Sequence, residues 1–354
     1  MLVSTKTVRR RSWRIQDVVV RLRERGTDRV YGLPVPPIAC WMGTSGRVEL
    51  QLHDPSATVS REHAELVPVD INGGEVVWKV YDRESKNGLC CDGEQLRAFV
   101  LRPGLEVRLG SLRLLAESKE LVELLSFTRR CLGWAADRQE DVDQAMQNLR
   151  DWAAQRTELI LVGDGNLRSV LRRWHDFVIG ADVPFTWCEP GTGTDAAAVV
   201  KEAATGTLCI DTTERQAEAL AVVEHVHAME HVARPQLVVC TPDPTSPVAS
   251  LKAKLERPTV IQVPPLAMRS SELMDILQEY AWEIARAHGL SEPRVEAQDL
   301  EQLGRWPYRS LAEVADDVLR LVMLRTWGVR AGAARLGVSH GSLSPWAHNR
   351  GLKT

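Results

Sequence analysis

Apolar positions follow three different rhythms along the chain. Up to about residue 118, short alternating or β-branched runs at 18–22, 38–42, 48–52, 64–69, 76–81 and 107–115 are separated by Gly, Pro, Asp and Asn. A period of two predicts half-buried strands, and their density predicts an all-β sandwich over residues 15–118. Asn72-Gly73-Gly74, Asn87-Gly88 and Asp92-Gly93 are the turn signals between them. The period then lengthens to three and four at 121–134 and 141–152, which predicts a helical connector over 119–154 that leads into the opening helix of a second domain. Over 155–310, continuous apolar runs at 159–162, 184–188, 207–211 and 236–241 alternate with helical patterns such as 167–178 and 214–228. That alternation predicts an α/β domain with a mostly parallel sheet. The final segment, 311–354, is all-α. A helix over 311–327 ends at Gly328, a short helix covers 329–336, and Gly337-Val338 leads to Ser339 as N-cap of a third. The spacing is that of a helix-turn-helix.

Composition narrows this picture. A chain of 354 residues accommodates two or three domains. The net charge of -3 excludes a global basic field, so any nucleic-acid contact has to come from a local patch. Seven scattered cysteines without a CxxC pair predict reduced, buried thiols in a cytoplasmic protein and no metal site. No apolar core follows the basic run Arg9-Arg10-Arg11, and no stretch approaches the length of a membrane span, so neither a signal peptide nor a membrane contact is expected. Eleven tryptophans against four phenylalanines and four tyrosines have no functional explanation in the pattern.

The densest candidate chemistry lies in the first domain. Ser60-Arg61-Glu62-His63 and Ser85-Lys86-Asn87-Gly88 place a hydroxyl, two cations and a turn amide on neighbouring loops. Such groups suit a phosphate dianion, which favours charge-assisted donors from several directions. With Met42-Gly43-Thr44, Asp54-Pro55, Asp82, Cys91-Asp92-Gly93-Glu94 and the 101–110 segment, the region resembles the forkhead-associated (FHA) domain, a phosphothreonine-reading module. The resemblance implies that Ser60 and Arg61 hold phosphate, that Lys86 reaches the phosphate or the peptide, that Asn87 holds the peptide backbone, and that His63 ties loops together. One position departs from the family: Thr44 stands where an arginine is usual, and Arg47 is the nearest substitute. Loss of one charged donor costs on the order of 1.5–3 kcal/mol. The expected ligand is therefore a phosphorylated or acidic protein partner, bound weakly if phosphorylated, and a reading of unphosphorylated partners stays open.

The central domain resembles the AAA+ ATPase of sigma-54-dependent activators. Gly206-Thr207-Leu208-Cys209-Ile210-Asp211 is similar to a Walker B strand, and Val263-Pro264-Pro265-Leu266 and Trp306-Pro307 are similar to lid motifs. Gly163-Asp164-Gly165-Asn166-Leu167-Arg168-Ser169 lacks the Gly-Lys of a phosphate-binding loop, and Thr212 replaces the expected glutamate. No ATPase activity and no cofactor are expected.

The C-terminus resembles the Fis-type DNA-binding unit of the same activators. The resemblance implies DNA contacts from Arg330, Arg335, Ser339, His340, Ser342, His348 and Arg350, and homodimer formation through 311–327. Gly341 and Pro345 weaken the reading helix, and few cations are available to neutralise phosphates. The leading expectation is a non-catalytic bacterial transcriptional regulator. The alternative is a protein–protein adaptor in a larger assembly that does not bind DNA.

Overall fold

The computed structural model describes residues 13–71, 76–163, 167–204, 206–213, 215–230, 233–242, 253–256 and 258–353. The turns expected at Asn72-Gly73-Gly74 and Asp164-Gly165-Asn166 lie outside the described residues.

The first domain is a two-sheet β-sandwich. One sheet runs β2(Val30–Gly32), β1(Val19–Glu24), β11(Leu112–Ser118), β10(Glu106–Leu109), β7(Leu89–Cys91), β8(Glu94–Gln95). The other runs β4(Leu50–Gln51), β3(Cys40–Gly43), β5(Ala64–Asp70), β6(Val76–Asp82), β9(Ala98–Val100). Alternate residues of both sheets, among them Leu22, Met42, Leu66, Trp78, Leu109 and Leu114, fill the core between them. The apolar run at 107–115 is two strands rather than one. Gly110, at φ +59, turns the chain there, and a Cβ at that position would meet Thr58 Oγ1 at 2.5 Å. Four short strands, β2, β7, β8 and β9, escape the period-two reading because each is only two or three residues long.

Ser118 closes β11 and caps α1(Lys119–Leu132), its side chain accepting from the Leu121 amide. With α2(Gln139–Gln155), this segment packs on the unit that follows it. Leu121, Leu124, Leu149 and Trp152 are buried with Leu159, Leu161 and Trp174 of the next unit. Ile15 and Trp13, at the start of the first domain by sequence, are buried in that same cluster.

The central sheet is fully parallel, in the order β13(Phe185–Cys188), β14(Thr207–Asp211), β15(Gln236–Thr241), β12(Leu159–Val162), β16(Thr259–Gln262). Strand parity separates its two faces. Leu159, Leu161, Cys209, Val238 and Cys240 face α1, α2 and α3(Leu167–His175). Ile160, Val162, Leu208, Ile210, Leu237 and Val239 face α4(Ala196–Ala203) and α5(Gln216–Ala228). Burial on both faces explains why these strands read as continuous apolar runs.

Four helices complete the chain: α6(Leu273–Ala287), α7(Ala297–Gly304), α8(Leu311–Arg335) and α9(His340–Asn349). They share one core with Ile276, Leu303, Val318, Leu321 and Trp346. The break expected at Gly328 is a kink at φ +75. Ser339 stands at the N-cap of α9, but its side chain makes no capping bond. Instead its carbonyl accepts from the Ser342 hydroxyl at 2.7 Å. Pro345 lies inside α9 rather than in a first turn, because the helix starts at His340. The buried Leu343, Trp346 and Ala347 hold it in place there. All seven cysteines are free and buried; burial pushes the Cys40 thiol up to about 11 and Cys131 to about 12. Five of the tryptophans, Trp13, Trp78, Trp152, Trp174 and Trp346, are core residues. Among the described residues no helix is long and apolar enough to cross a membrane.

Candidate ligand-binding site

Three loops meet at one end of the sandwich. The first follows β3, the second precedes β5, and the third joins β6 to β7. Backbone hydrogen bonds join the first two: Thr44 N donates to Ser60 O at 3.2 Å and Ser45 N to Arg61 O at 3.0 Å. Gly43 makes this approach feasible, since a Cβ there would lie 2.2 Å from the Arg61 carbonyl oxygen. The third loop is fixed by Ser60 itself, whose Oγ accepts from the Lys86 amide at 3.0 Å.

His63 is the buckle behind these loops. Its ring is fully buried. Nδ1 accepts from the Ser60 amide at 3.0 Å, which leaves the proton on Nε2, 3.0 Å from the Gly88 carbonyl. Burial holds its pKa below the ordinary histidine value. Its role is to tie the loops, as the sequence reading expected. Asp54 sets the turn before Ser60 by accepting from the Ser56, Thr58 and Val59 amides.

This wiring decides which groups face outward. The Thr44, Ser45 and Lys86 amides are already committed, so an anion here meets side chains rather than a nest of backbone donors. The Ser60 hydroxyl accepts one bond and keeps its proton for donation. Arg47, Arg61 and Lys86 are exposed, and their side chains make no ion pair or hydrogen bond among the described residues. Arg83, on the same loop as Lys86, is paired with Glu65 and lies over the Trp41 ring at 5.1 Å, so its charge is spent locally. Asn87 Nδ2 donates to Thr58 O at 2.7 Å. Its second N–H and its carbonyl have no described partner. Beside Asn87 opens a cavity of about 440 Å³, lined by Thr58, Cys90, Arg108 and Ser111. Sequence reasoning did not find Arg108, because its strand position reads as an ordinary exposed residue of β10.

The family model for the FHA domain matches residues 40–110. Residues 40–110 form an FHA domain. A search of curated proteins returned no match. Among solved structures, the FHA domain resembles one studied for phosphothreonine-dependent interactions, at 25% identity over 28% of this chain and 96% of that one, TM-score 0.24. It also resembles Mycobacterium tuberculosis EmbR, solved with a low affinity phosphopeptide, at 27% identity over 28% of this chain and 24% of EmbR, TM-score 0.24. The yeast Dun1 FHA domain, solved with a doubly phosphorylated peptide, is 19% identical over 33% of this chain and 82% of its own, TM-score 0.24.

The residues expected to contact DNA are distributed differently. Arg330 is exposed, and so are Ser339, Ser342 and His348. Arg335 lies over the Trp327 ring at 4.2 Å. Arg350 turns inward: its Nε donates to Asp317 at 2.7 Å, and its guanidinium sits 3.5 Å from the Trp306 ring centre. Asp317, 4% exposed, also accepts from Tyr308 and from the Trp346 indole at 2.8 Å. Of the side chain of His340 nothing is described. In the central domain, Asp211 accepts from Thr213 and closes its own turn. Arg168 is exposed. The space between Leu167, Pro265, Arg309 and Leu311 is only about 20 Å³. No group of three metal-ligating side chains occurs among the described residues.

Proposed function

We propose that this chain is a non-catalytic regulatory protein whose FHA domain docks a phosphothreonine-bearing protein partner. The observation that carries this reading is Ser60. Its Oγ anchors the Lys86 amide while its proton stays free, and the adjoining loops, tied by His63, carry three exposed cations, Arg47, Arg61 and Lys86. Charge-assisted hydrogen bonds from such groups favour a dianion over a neutral hydroxyl. Thr44 provides a hydroxyl where a guanidinium would add a fork of donors, so the affinity is modest.

The reading without ATPase chemistry rests on the sequence, in which no Gly-Lys follows Gly163 and Thr212 stands where a glutamate is expected. A degenerate AAA+ ancestry is supported by the fully parallel five-stranded sheet followed by a helical unit. For the C-terminus, the commitment of Arg350 to Asp317 favours the adaptor reading. Exposed Arg330 beside the Gly328 kink, with exposed Arg335, Ser339, Ser342 and His348, is what favours DNA.

A titration of the full chain with a phosphothreonine peptide, its phosphoserine and unphosphorylated forms, and the same peptide on the Ser60→Ala variant tests the first reading. Binding restricted to the phosphothreonine form and lost in the variant is the expected result. Equal binding of the unphosphorylated form would reject it. Salt-sensitive retention on DNA, lost on removing residues 339–354, would restore the transcriptional reading.

A further inference from the structure

Between α1 and α6 runs an open groove of about 740 Å³, within the range of ligand sites, lined by Ser126, Trp134, Asp275, Glu279, Trp282 and Arg286. It involves neither the FHA loops nor α8 and α9. Trp282 is 41% exposed, which is unusual for so large an apolar ring. Glu279 is half-buried, and its carboxylate makes no ion pair or hydrogen bond among the described residues. Burial, with Glu283 and Asp275 nearby, pushes its pKa upward; Arg130 and Arg286 oppose the shift. Arg286 turns its Nε toward the Trp282 carbonyl, 3.4 Å away, and forms no ion pair with either groove carboxylate.

The same pair of helices already shows what such a surface binds. Arg130 of α1 is 4% exposed, paired with Glu283 of α6, and stacked over Tyr280 at 4.2 Å and Phe127 at 5.2 Å. Beside it, the groove repeats that combination of aromatic ring and carboxylate, with Trp282, Trp134, Glu279 and Asp275; Arg286 also lines it but, among the described residues, forms no ion pair with Glu279 or Asp275.

We infer that the α1–α6 groove is a docking site for an arginine-bearing segment of a partner protein, the guanidinium stacking on Trp282 and pairing with Glu279 and Asp275. A planar guanidinium satisfies both demands at once, whereas an ammonium satisfies the charge alone. The flanking indoles favour apolar neighbours on either side of that arginine.

The test uses the full chain and the probe peptide acetyl-Leu-Arg-Leu-Arg-Leu-Arg-amide, with lysine and glutamate counterparts, read by titration calorimetry and by the indole NMR signal of Trp282. The expected result is binding of the arginine peptide that shifts the Trp282 signal, weakens with salt, and falls by about tenfold or more in Glu279→Gln and in Trp282→Ala. The lysine peptide binds more weakly and the glutamate peptide does not bind. Glu279→Gln removes no bond of the folded protein, so its melting temperature should match the parent and loss of folding cannot mimic the result. Unchanged binding in both variants, or equal binding of the glutamate peptide, overturns the inference. Tighter binding after deletion of residues 1–12, which carry Arg9, Arg10 and Arg11, also overturns it, since the chain's own basic segment would then be the occupant.

Discussion

Arg23 of the FHA-bearing sandwich and Asp143 of α2 form a buried ion pair across the boundary between the sandwich and the α/β body, each 2% exposed. Burial alone would weaken the charge on Arg23. Hydrogen bonds and attraction from Asp143, with Glu117 at 2.6 Å, more than offset it and hold its pKa above the usual arginine value. Asp143 also accepts from the Gly26 amide at 2.7 Å, and Arg150 reaches back from α2 to Asp92 at the same distance. The sandwich is therefore clamped to α2 at one end while its ligand loops stay open at the other.

Removing Asp143 leaves the buried Arg23 charge with Glu117 as its remaining ion-pair partner. Asp143→Ala should destabilise the protein by about 3–5 kcal/mol, whereas replacing both Arg23 and Asp143 with apolar residues of similar volume should cost far less. Urea unfolding checks this: a single transition in the parent should split into two in Asp143→Ala, the FHA domain melting first.

Thr44→Arg should strengthen phosphothreonine-peptide binding by roughly tenfold or more, corresponding to about 1.5–3 kcal/mol for a charged hydrogen-bond donor. Calorimetry with one peptide on both proteins measures the gain. An unchanged affinity would mean that position 44 does not face the phosphate.

His63 and His175 are both held neutral by burial, below the ordinary value of 6.5. A group with a lowered folded pKa takes up its proton first in the unfolded chain. Their contribution is complete above about pH 6.5 and is lost as pH falls below it, at up to about 1.4 kcal/mol per pH unit for each group. Melting temperatures from pH 8 to 5 should therefore decline toward acid, and His63→Gln should lower stability at pH 8 while flattening that decline.

Arg350→Ala should act on stability rather than on nucleic-acid contact. It removes one of three donors to buried Asp317, and hydrogen exchange should accelerate at Leu343 and Ala347 in α9. Retention on DNA, if present, should fall no more than that local loosening explains; a loss that leaves exchange unchanged would place Arg350 at the phosphate backbone.

Much of the FHA site is legible in the residues because its determinants are local. Turn chemistry at Asp54 and Asn87-Gly88, and the period-two runs around them, are short-range signals, and they place Ser60, Arg61, Lys86 and Asn87 on converging loops. The parallel sheet is legible for the same reason, since strands buried on both faces must be apolar throughout. Tertiary structure alone decided the rest. Trp13 and Ile15 join the α/β core, residues of α1 and α2 are buried in it, and Arg350 pairs with Asp317. Arg23 and Asp143 are 120 positions apart, and Arg350 and Asp317 are 33 apart. In sequence an arginine destined for a buried pair is indistinguishable from one on the surface, because the low-dielectric surroundings that distinguish them exist only after distant elements have packed together.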